Sequence, residues 1–174
     1  MKKISLLILL SSIWIALSAK DIYLSAVYSN SGSINTLKLS TFGLEHEIEI
    51  ETEIDGKVVG SKLADLNGDG CSELYLFIVS AGSGSYGSVM AWGFNSTKSI
   101  TPIYMPPLTQ KQMKQFGYMG HDSFSIEGKY IKREFPSYAK NDINAKPTNA
   151  KVVLYYTLEK GEASYLLSYV KGKK

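Results

Sequence analysis

The chain has 174 residues, 44% of them hydrophobic and 20% charged, which is the size and composition of one globular domain. Its net charge is only +3, and nucleic acids and anionic membrane surfaces bind dense positive charge, so we expect neither as a partner. Cys71 is the only cysteine, so the chain forms no internal disulfide and its stability depends on a packed core.

Residues 1–19 predict a secretory signal peptide. Two lysines precede an apolar stretch over residues 4–17, and the small residues Ser18 and Ala19 follow it. The stretch is shorter than the roughly 20 apolar residues of a membrane-spanning helix, which argues against a membrane anchor. We expect cleavage after Ser18 or Ala19 and a periplasmic mature protein with no membrane attachment. Cleavage leaves 17 basic residues against 16 acidic ones, a net charge of +1.

Glutamates at every second position mark residues 45–54 as a strand with one face in water. The alternating positions are Glu45, Glu47, Glu49, Glu51 and Glu53 against His46, Ile48, Ile50, Thr52 and Ile54. Because charged side chains are rarely buried, we interpret the glutamate row as a solvated face and not as a cation site. Residues 55–57 form a turn, and the returning strand begins at Val58.

The rest of the chain predicts further strands and one short helix. The strands lie at residues 22–28, 36–40, 73–80, 88–94, 123–126, 130–135, 152–158 and 164–170. The helix covers residues 108–116 and is ended by Gly117. About ten strands with frequent turns predict one all-β domain over residues 20–174, an antiparallel β-sandwich or barrel.

Residues 65–73 have the spacing D-x-N-x-D-G-x-x-E, with oxygen side chains at Asp65, Asn67, Asp69 and Glu73. Alternate oxygen ligands on a tight glycine turn suit a hard cation such as Ca²⁺. Two interpretations stay open: a structural Ca²⁺ site that braces the scaffold, or a polar turn whose side chains bond their own backbone. No cofactor is expected to be required.

Residues 80–88 form a glycine-rich loop with the pattern G-x-G-x-x-G at Gly82, Gly84 and Gly87. A dinucleotide site needs a helix after these glycines, whereas residues 89–92 are β-branched and aromatic and predict a strand. The loop therefore presents several serines and, at its tip, Tyr86. This composition is typical of a binding loop and also of an ordinary flexible hairpin.

The two loops, with later segments in the same order, resemble the periplasmic inhibitors of invertebrate-type (I-type) lysozyme. The later segments are Tyr118-Met119-Gly120-His121-Asp122, Phe135-Pro136, Asn144-Ala145-Lys146-Pro147-Thr148 and Gly161-Glu162-Ala163-Ser164. The resemblance runs from about residue 60 to the end of the chain. It implies an exported bacterial all-β protein that inserts a serine-glycine-x-tyrosine loop into the catalytic cleft of its partner, an I-type lysozyme.

The resemblance assigns the inhibitory loop to Ser83, Gly84, Ser85 and Tyr86, with Ser83 and Tyr86 as the hydroxyl donors. Ser80 and Ser85 are other candidates for the serine of this loop. Lysozymes cleave sugar chains with two carboxyl groups. A hydroxyl that donates to a carboxylate makes a charge-assisted hydrogen bond, which is stronger than a neutral one.

An enzyme is not expected. His121 and Asp122 are adjacent, and adjacent residues of a strand point to opposite faces, so they would not form a catalytic relay. The chain has no G-x-S-x-G elbow, and its two histidines and single cysteine do not indicate a zinc site. The alternative function is a secreted calcium-binding carbohydrate-binding or adhesion module, because residues 65–73 resemble the loops of repeat adhesins.

The signal peptide prediction has a direct test. Protein released from the periplasm by osmotic shock should begin at Ala19 or Lys20 when its N-terminus is sequenced. A membrane-pelleted protein that still carries Met1 would contradict it.

Overall fold

The computed structural model describes residues 11–17, as backbone, together with residues 22–96, 98–162 and 164–170. Residues 1–10 of the predicted signal peptide and the predicted cleavage position at Ser18 and Ala19 lie outside these ranges. The described chain is built from strands with one short helix, which confirms the predicted all-β class. None of the described residues belongs to a helix long and apolar enough to cross a bilayer.

The elements follow one another in chain order as twelve strands, with the helix α1 between the eighth and ninth. They are β1 (Ser11–Leu17), β2 (Ile22–Tyr28), β3 (Ile34–Phe42), β4 (Glu49–Asp55), β5 (Lys57–Ala64), β6 (Glu73–Val79), β7 (Gly87–Asn95), β8 (Ser99–Tyr104), α1 (Gln110–Phe116), β9 (Ser123–Glu127), β10 (Tyr130–Phe135), β11 (Val152–Lys160) and β12 (Tyr165–Val170).

The strands form two sheets. The smaller has the order β1-β2-β3-β4, and the larger has the order β5-β6-β7-β8-β12-β11-β10-β9. In the larger sheet β8 and β12 pair in parallel. The larger sheet curls: Phe77 on β6 stacks on Phe124 of β9, near the opposite end of the strand order, with ring centroids 5.8 Å apart. Its two ends thereby approach one another, and the sheet is close to a barrel.

Strand β6 is buried on both faces and joins the two hydrophobic cores. Leu74, Leu76 and Ile78 face the smaller sheet, whereas Tyr75 and Phe77 face the interior of the larger one. A strand between two cores needs apolar side chains on both faces, which explains its nearly continuous apolar sequence. The smaller sheet thus packs against the outside of the near-barrel.

Strand β4 begins at Glu49, so residues 45–48 of the predicted strand precede it. Its three glutamates are exposed and Ile54 is fully buried, which matches the expected division into a wet and a dry face. Among the described residues the glutamate row makes one ion pair, Lys38 to Glu51 at 3.1 Å.

Strand β8 was not predicted, and Pro102 is the reason. Proline cannot donate a ladder hydrogen bond and argues against a strand in the middle of a sheet. In the structure Pro102 lies opposite Trp92 of β7, and the parallel pairing with β12 starts only at Ile103. Pro102 therefore pairs with β7 alone, just before the segment that pairs with both neighbouring strands.

Residues 11–17, the second half of the apolar stretch of the predicted signal peptide, pair with β2 along its full length. If the signal peptide is cleaved as predicted, β1 leaves the sheet and β2 becomes an edge strand. The helix begins at Gln110 rather than at residue 108, because Thr109 caps it through a reciprocal pair of bonds with Gln112. It ends as predicted at Gly117, whose φ is 57°.

Candidate functional site

The loop between β6 and β7, residues 80–86, is called the tyrosine loop from here on. Its base is closed by a hydrogen bond from Ser80 N to Tyr86 O at 2.8 Å and by one from Tyr86 N to Ser80 Oγ at 3.1 Å. A tighter turn forms its tip, where Ser85 N donates to Gly82 O at 3.2 Å. Tyr86 therefore lies at the base of the loop and not at its tip as expected; Ser83 and Gly84 occupy the tip.

The ring of Tyr86 folds back over the loop. A Cβ atom at Gly84 would collide with this ring, so Gly84 is needed for space. The ring also packs edge-to-face on Tyr118, with centroids 5.8 Å apart. Tyr86 nevertheless remains 52% exposed. Its aromatic ring is thus held in place while about half of the residue's surface stays exposed to solvent.

The three serines of the loop differ in how their hydroxyl groups are used. Ser80 Oγ accepts from the backbone of Tyr86, and Ser85 Oγ donates to Gly82 O at 3.4 Å. Within the described part of the chain, the exposed Ser83 hydroxyl has no hydrogen-bond partner, and neither has the Tyr86 hydroxyl. The sequence left Ser80, Ser83 and Ser85 as alternatives for the serine that meets a partner. Among these three, Ser83 is the one whose hydroxyl makes no hydrogen bond in the described structure.

A buried ion pair lies beneath the tyrosine loop. Arg133 Nε on β10 donates to Asp122 Oδ1 at 2.6 Å, and the two side chains are 5% and 0% exposed. Asp122 Oδ2 accepts from Tyr118 OH at 2.6 Å and from the backbone of Gly87 at 2.7 Å. Arg133 Nη2 donates to Tyr118 OH at 2.9 Å. Because Gly87 is the first residue of β7, the ion pair holds the end of the loop.

The surroundings of this pair compensate for the removal of two charges from water. The guanidinium of Arg133 lies 5.1–5.6 Å from the ring centroids of Tyr118, Phe124 and Phe135. Burial alone would lower the pKa of Arg133, but the neighbouring carboxylate of Asp122 raises it above its ordinary value. Burial, together with the bond to Asp122, raises the pKa of Tyr118 far above its ordinary value, so its hydroxyl stays a donor.

The segment from Tyr118 to Asp122 forms the floor of the loop. His121 N donates to Gly84 O at 2.8 Å, and a Cβ atom at Gly120 would collide with the same carbonyl. The φ of Gly120 is 94°, which favours glycine for a second reason. This segment belonged to the sequence resemblance, but its sequence alone does not indicate that it supports the loop.

His121 and Asp122 make separate hydrogen bonds. The exposed ring of His121 contacts Asn144, whereas Asp122 is buried against Arg133. We expected the alternation of a strand to separate His121 from Asp122, and that reason was wrong. Both residues precede β9, and His121 has a φ of 60°, so neither lies in a strand.

The loop over residues 65–73 lies at the other end of β6. Carboxylate oxygens of Asp65, Asp69 and Glu73 lie within 4.8 Å of one another. Asp65 accepts from the backbone of Gly68, Asp69 and Gly70 at 2.6–3.2 Å. The side chain of Asn67 is bonded to Asp69 through both its oxygen and its nitrogen. The backbone bonds are those of a polar turn, and the grouped carboxylates are compatible with a cation site, so both interpretations stay open.

Glu73 is the buried member of this loop, at 2% exposure. Its Oε2 accepts from Leu66 N at 2.9 Å and from Tyr75 OH at 3.1 Å. Burial raises the pKa of Glu73 to about 7, even though the bond from Leu66 acts in the opposite direction. The carboxylate thus has two protein donors without any cation, and β6 places it about 20 Å from the tyrosine loop.

Comparison of the chain with models of known protein families gives no match, and comparison with curated proteins gives none either. The resemblance to lysozyme inhibitors thus stays an expectation from the sequence motifs.

Removal of one charge from the buried pair should strongly destabilise the fold. Asp122→Asn keeps the shape of the side chain but leaves Arg133 buried without its counter-charge, which costs about 3–5 kcal/mol. The matched control is Glu51→Gln, which breaks the exposed pair with Lys38 and should cost less than about 1 kcal/mol. Urea unfolding of both variants measures the difference; equal losses would contradict a structural role of the pair.

Chelation distinguishes the two interpretations of residues 65–73. If Asp65, Asn67, Asp69 and Glu73 hold Ca²⁺, a chelator removes a ligand of the native state and lowers the melting temperature of the wild-type protein. The melting temperature of the variant Asp69→Ala should then be the same in calcium as in chelator. Identical wild-type melting curves in the two conditions would identify the loop as a polar turn. The tyrosine loop should change little in either case, because it lies at the opposite end of β6.

Proposed function

We propose that this protein is a periplasmic inhibitor of I-type lysozyme that inserts its tyrosine loop into the catalytic cleft. The observation that carries the proposal is the pair of hydroxyl groups on Ser83 and Tyr86. Both are without a partner in the described structure, and both belong to an exposed loop whose backbone is held from below. Such a loop is built to donate hydrogen bonds to another molecule.

The chemistry of a lysozyme cleft matches these donors. Its two carboxyl groups accept hydrogen bonds, and bonds to a charged acceptor are stronger than neutral ones. Neither serine nor tyrosine brings a negative charge that a carboxylate would repel. Gly82 and Gly84 have no side chains, which keeps the tip of the loop narrow.

The support beneath the loop favours tight binding. A binding segment that is already ordered loses less conformational entropy when it meets its partner. Here the bond from Gly87 to Asp122 and the contact of Tyr86 with Tyr118 hold one side of the loop. Insertion therefore requires little rearrangement of the inhibitor itself.

The rival function, a calcium-dependent carbohydrate-binding or adhesion module, makes a different prediction. Such a module would bind peptidoglycan directly and would lose binding when calcium is chelated. An inhibitor would bind lysozyme and protect peptidoglycan from it with or without calcium. Sedimentation with insoluble peptidoglycan and a lysozyme assay on the same preparation separate the two.

Loss of either free hydroxyl should weaken inhibition. A hydrogen bond to a charged partner contributes roughly 1.5–3 kcal/mol, and each ~1.4 kcal/mol is tenfold in affinity. Tyr86→Phe and Ser83→Ala should therefore each raise the inhibition constant about tenfold to a hundredfold, and the double variant should be nearly inactive. The matched control is Ser85→Ala, because the Ser85 hydroxyl is already bonded inside the loop.

These variants should keep the wild-type melting temperature, because they remove exposed hydroxyl groups and retain the packed ring of Tyr86. Inhibition constants against an I-type lysozyme are the measurement. A folded double variant that inhibits as well as the wild type would place the binding surface elsewhere.

A further inference from the structure

The tip of the tyrosine loop touches a second loop, which connects β10 to β11 and is called the strap (residues 136–151). Asp142 organises the strap, since its carboxylate accepts from Ala139 N, Thr148 N and the Thr148 hydroxyl at 2.8–3.0 Å. These bonds tie both ends of a ten-residue stretch to one side chain. The strap is therefore a compact turn, although it contains no helix or strand.

Tyr138 anchors the strap to the body of the protein. Its ring is buried, and its hydroxyl donates to the backbone carbonyl of Asn144 at 2.9 Å. Its own backbone N–H donates to Gly117 O at 2.9 Å. The backbone position of Asn144 is thus set by a buried residue.

The side chain of Asn144 reaches the loop tip. Asn144 Nδ2 donates to Ser83 O at 2.7 Å, and Asn144 Oδ1 lies 3.1 Å from Nε2 of His121. An amide oxygen can only accept, so this second contact is a hydrogen bond when His121 carries a proton on Nε2. The bond from His121 then fixes which way the amide points and leaves its NH₂ group directed at Ser83.

The two hydroxyl-bearing residues are held by different parts of the protein. Tyr86 is bonded to Ser80 and packed on Tyr118, next to the ion pair of Asp122. Ser83 has one bond from outside the loop in the described structure, the bond from Asn144. The neighbouring Gly82 has a φ of 132°, a conformation that glycine adopts far more readily than other residues do.

We infer that Asn144 is a positioning residue for inhibition: it fixes the backbone of Ser83 so that the serine hydroxyl meets the lysozyme. This inference rests on the proposed function and adds a second element, the strap, to the inhibitory site. His121 and Tyr138 act through Asn144, one by orienting its amide and the other by holding its backbone.

A double-mutant cycle tests the inference. Asn144→Ala should raise the inhibition constant about tenfold, close to the effect of Ser83→Ala, and should add little when combined with it. Combined with Tyr86→Phe, the two effects should multiply. Asn144→Asp keeps the shape but cannot donate to Ser83, so it should lose at least as much as Asn144→Ala. The matched control is Asn141→Ala, an exposed asparagine of the same strap, which should inhibit like the wild type.

A measurement without lysozyme separates this inference from the proposed function. In the free protein, ¹⁵N relaxation should show lower order parameters at the amides of Ser83 and Gly84 in Asn144→Ala, with Tyr86 unchanged. Failure of the wild-type protein to inhibit any lysozyme would refute the proposed function, and the relaxation data would still report on the Asn144 contact. Two results would overturn the inference. One is that the order parameters of Ser83 and Gly84 are the same in Asn144→Ala as in the wild type. The other is that the increases in inhibition constant caused by Asn144→Ala and Ser83→Ala multiply fully in the double variant.

Discussion

The buried ion pair between Asp122 and Arg133 connects the near-barrel to the tyrosine loop. Arg133 lies on β10 and Asp122 precedes β9, so the pair sits where the curled sheet approaches its own first strands. A Cβ atom at Gly87 would collide with Asp122 and with Phe124, which shows how closely β7 meets this corner. The free energy of a buried pair depends on complete hydrogen bonding, and here the carboxylate has three donors.

The geometry of the tyrosine loop is set by the residues that surround it. Its base continues the ladder of β6 and β7, its floor is the segment that contains Asp122, and its tip is held by the strap. A loop rich in glycine would be mobile on its own, because glycine has many accessible backbone conformations. The surrounding contacts remove that freedom while leaving the hydroxyl groups of Ser83 and Tyr86 exposed. A flexible sequence thus becomes an ordered loop with two exposed hydroxyl groups.

Much of the fold could be predicted from local patterns. The alternating glutamates of β4, the doubly apolar β6 and the glycine that ends α1 each follow from one physical rule applied to neighbouring residues. Strand β8 was not predicted because it contains Pro102, which argues against a strand. The pairing of residues 11–17 with β2 was not predicted because their apolar sequence has the composition of a signal peptide.

The candidate site was predictable only in part, for a different reason. The serines, glycines and tyrosine of the loop are contiguous, so their composition pointed to a binding loop. Their supports are distant in sequence: Asn144 is 61 residues from Ser83, and Asp122 is 35 residues from Gly87. No periodicity or spacing relates residues so far apart, and only the fold brings them together.

We propose that the tyrosine loop occupies the catalytic cleft of an I-type lysozyme. The most direct measurement is the mode of inhibition, obtained by titrating the wild-type protein against the lysozyme at several concentrations of a soluble oligosaccharide that binds the same cleft. We expect competition, with an apparent inhibition constant that rises linearly with the oligosaccharide concentration. An inhibition constant that does not depend on the oligosaccharide, or no inhibition at all, would contradict it.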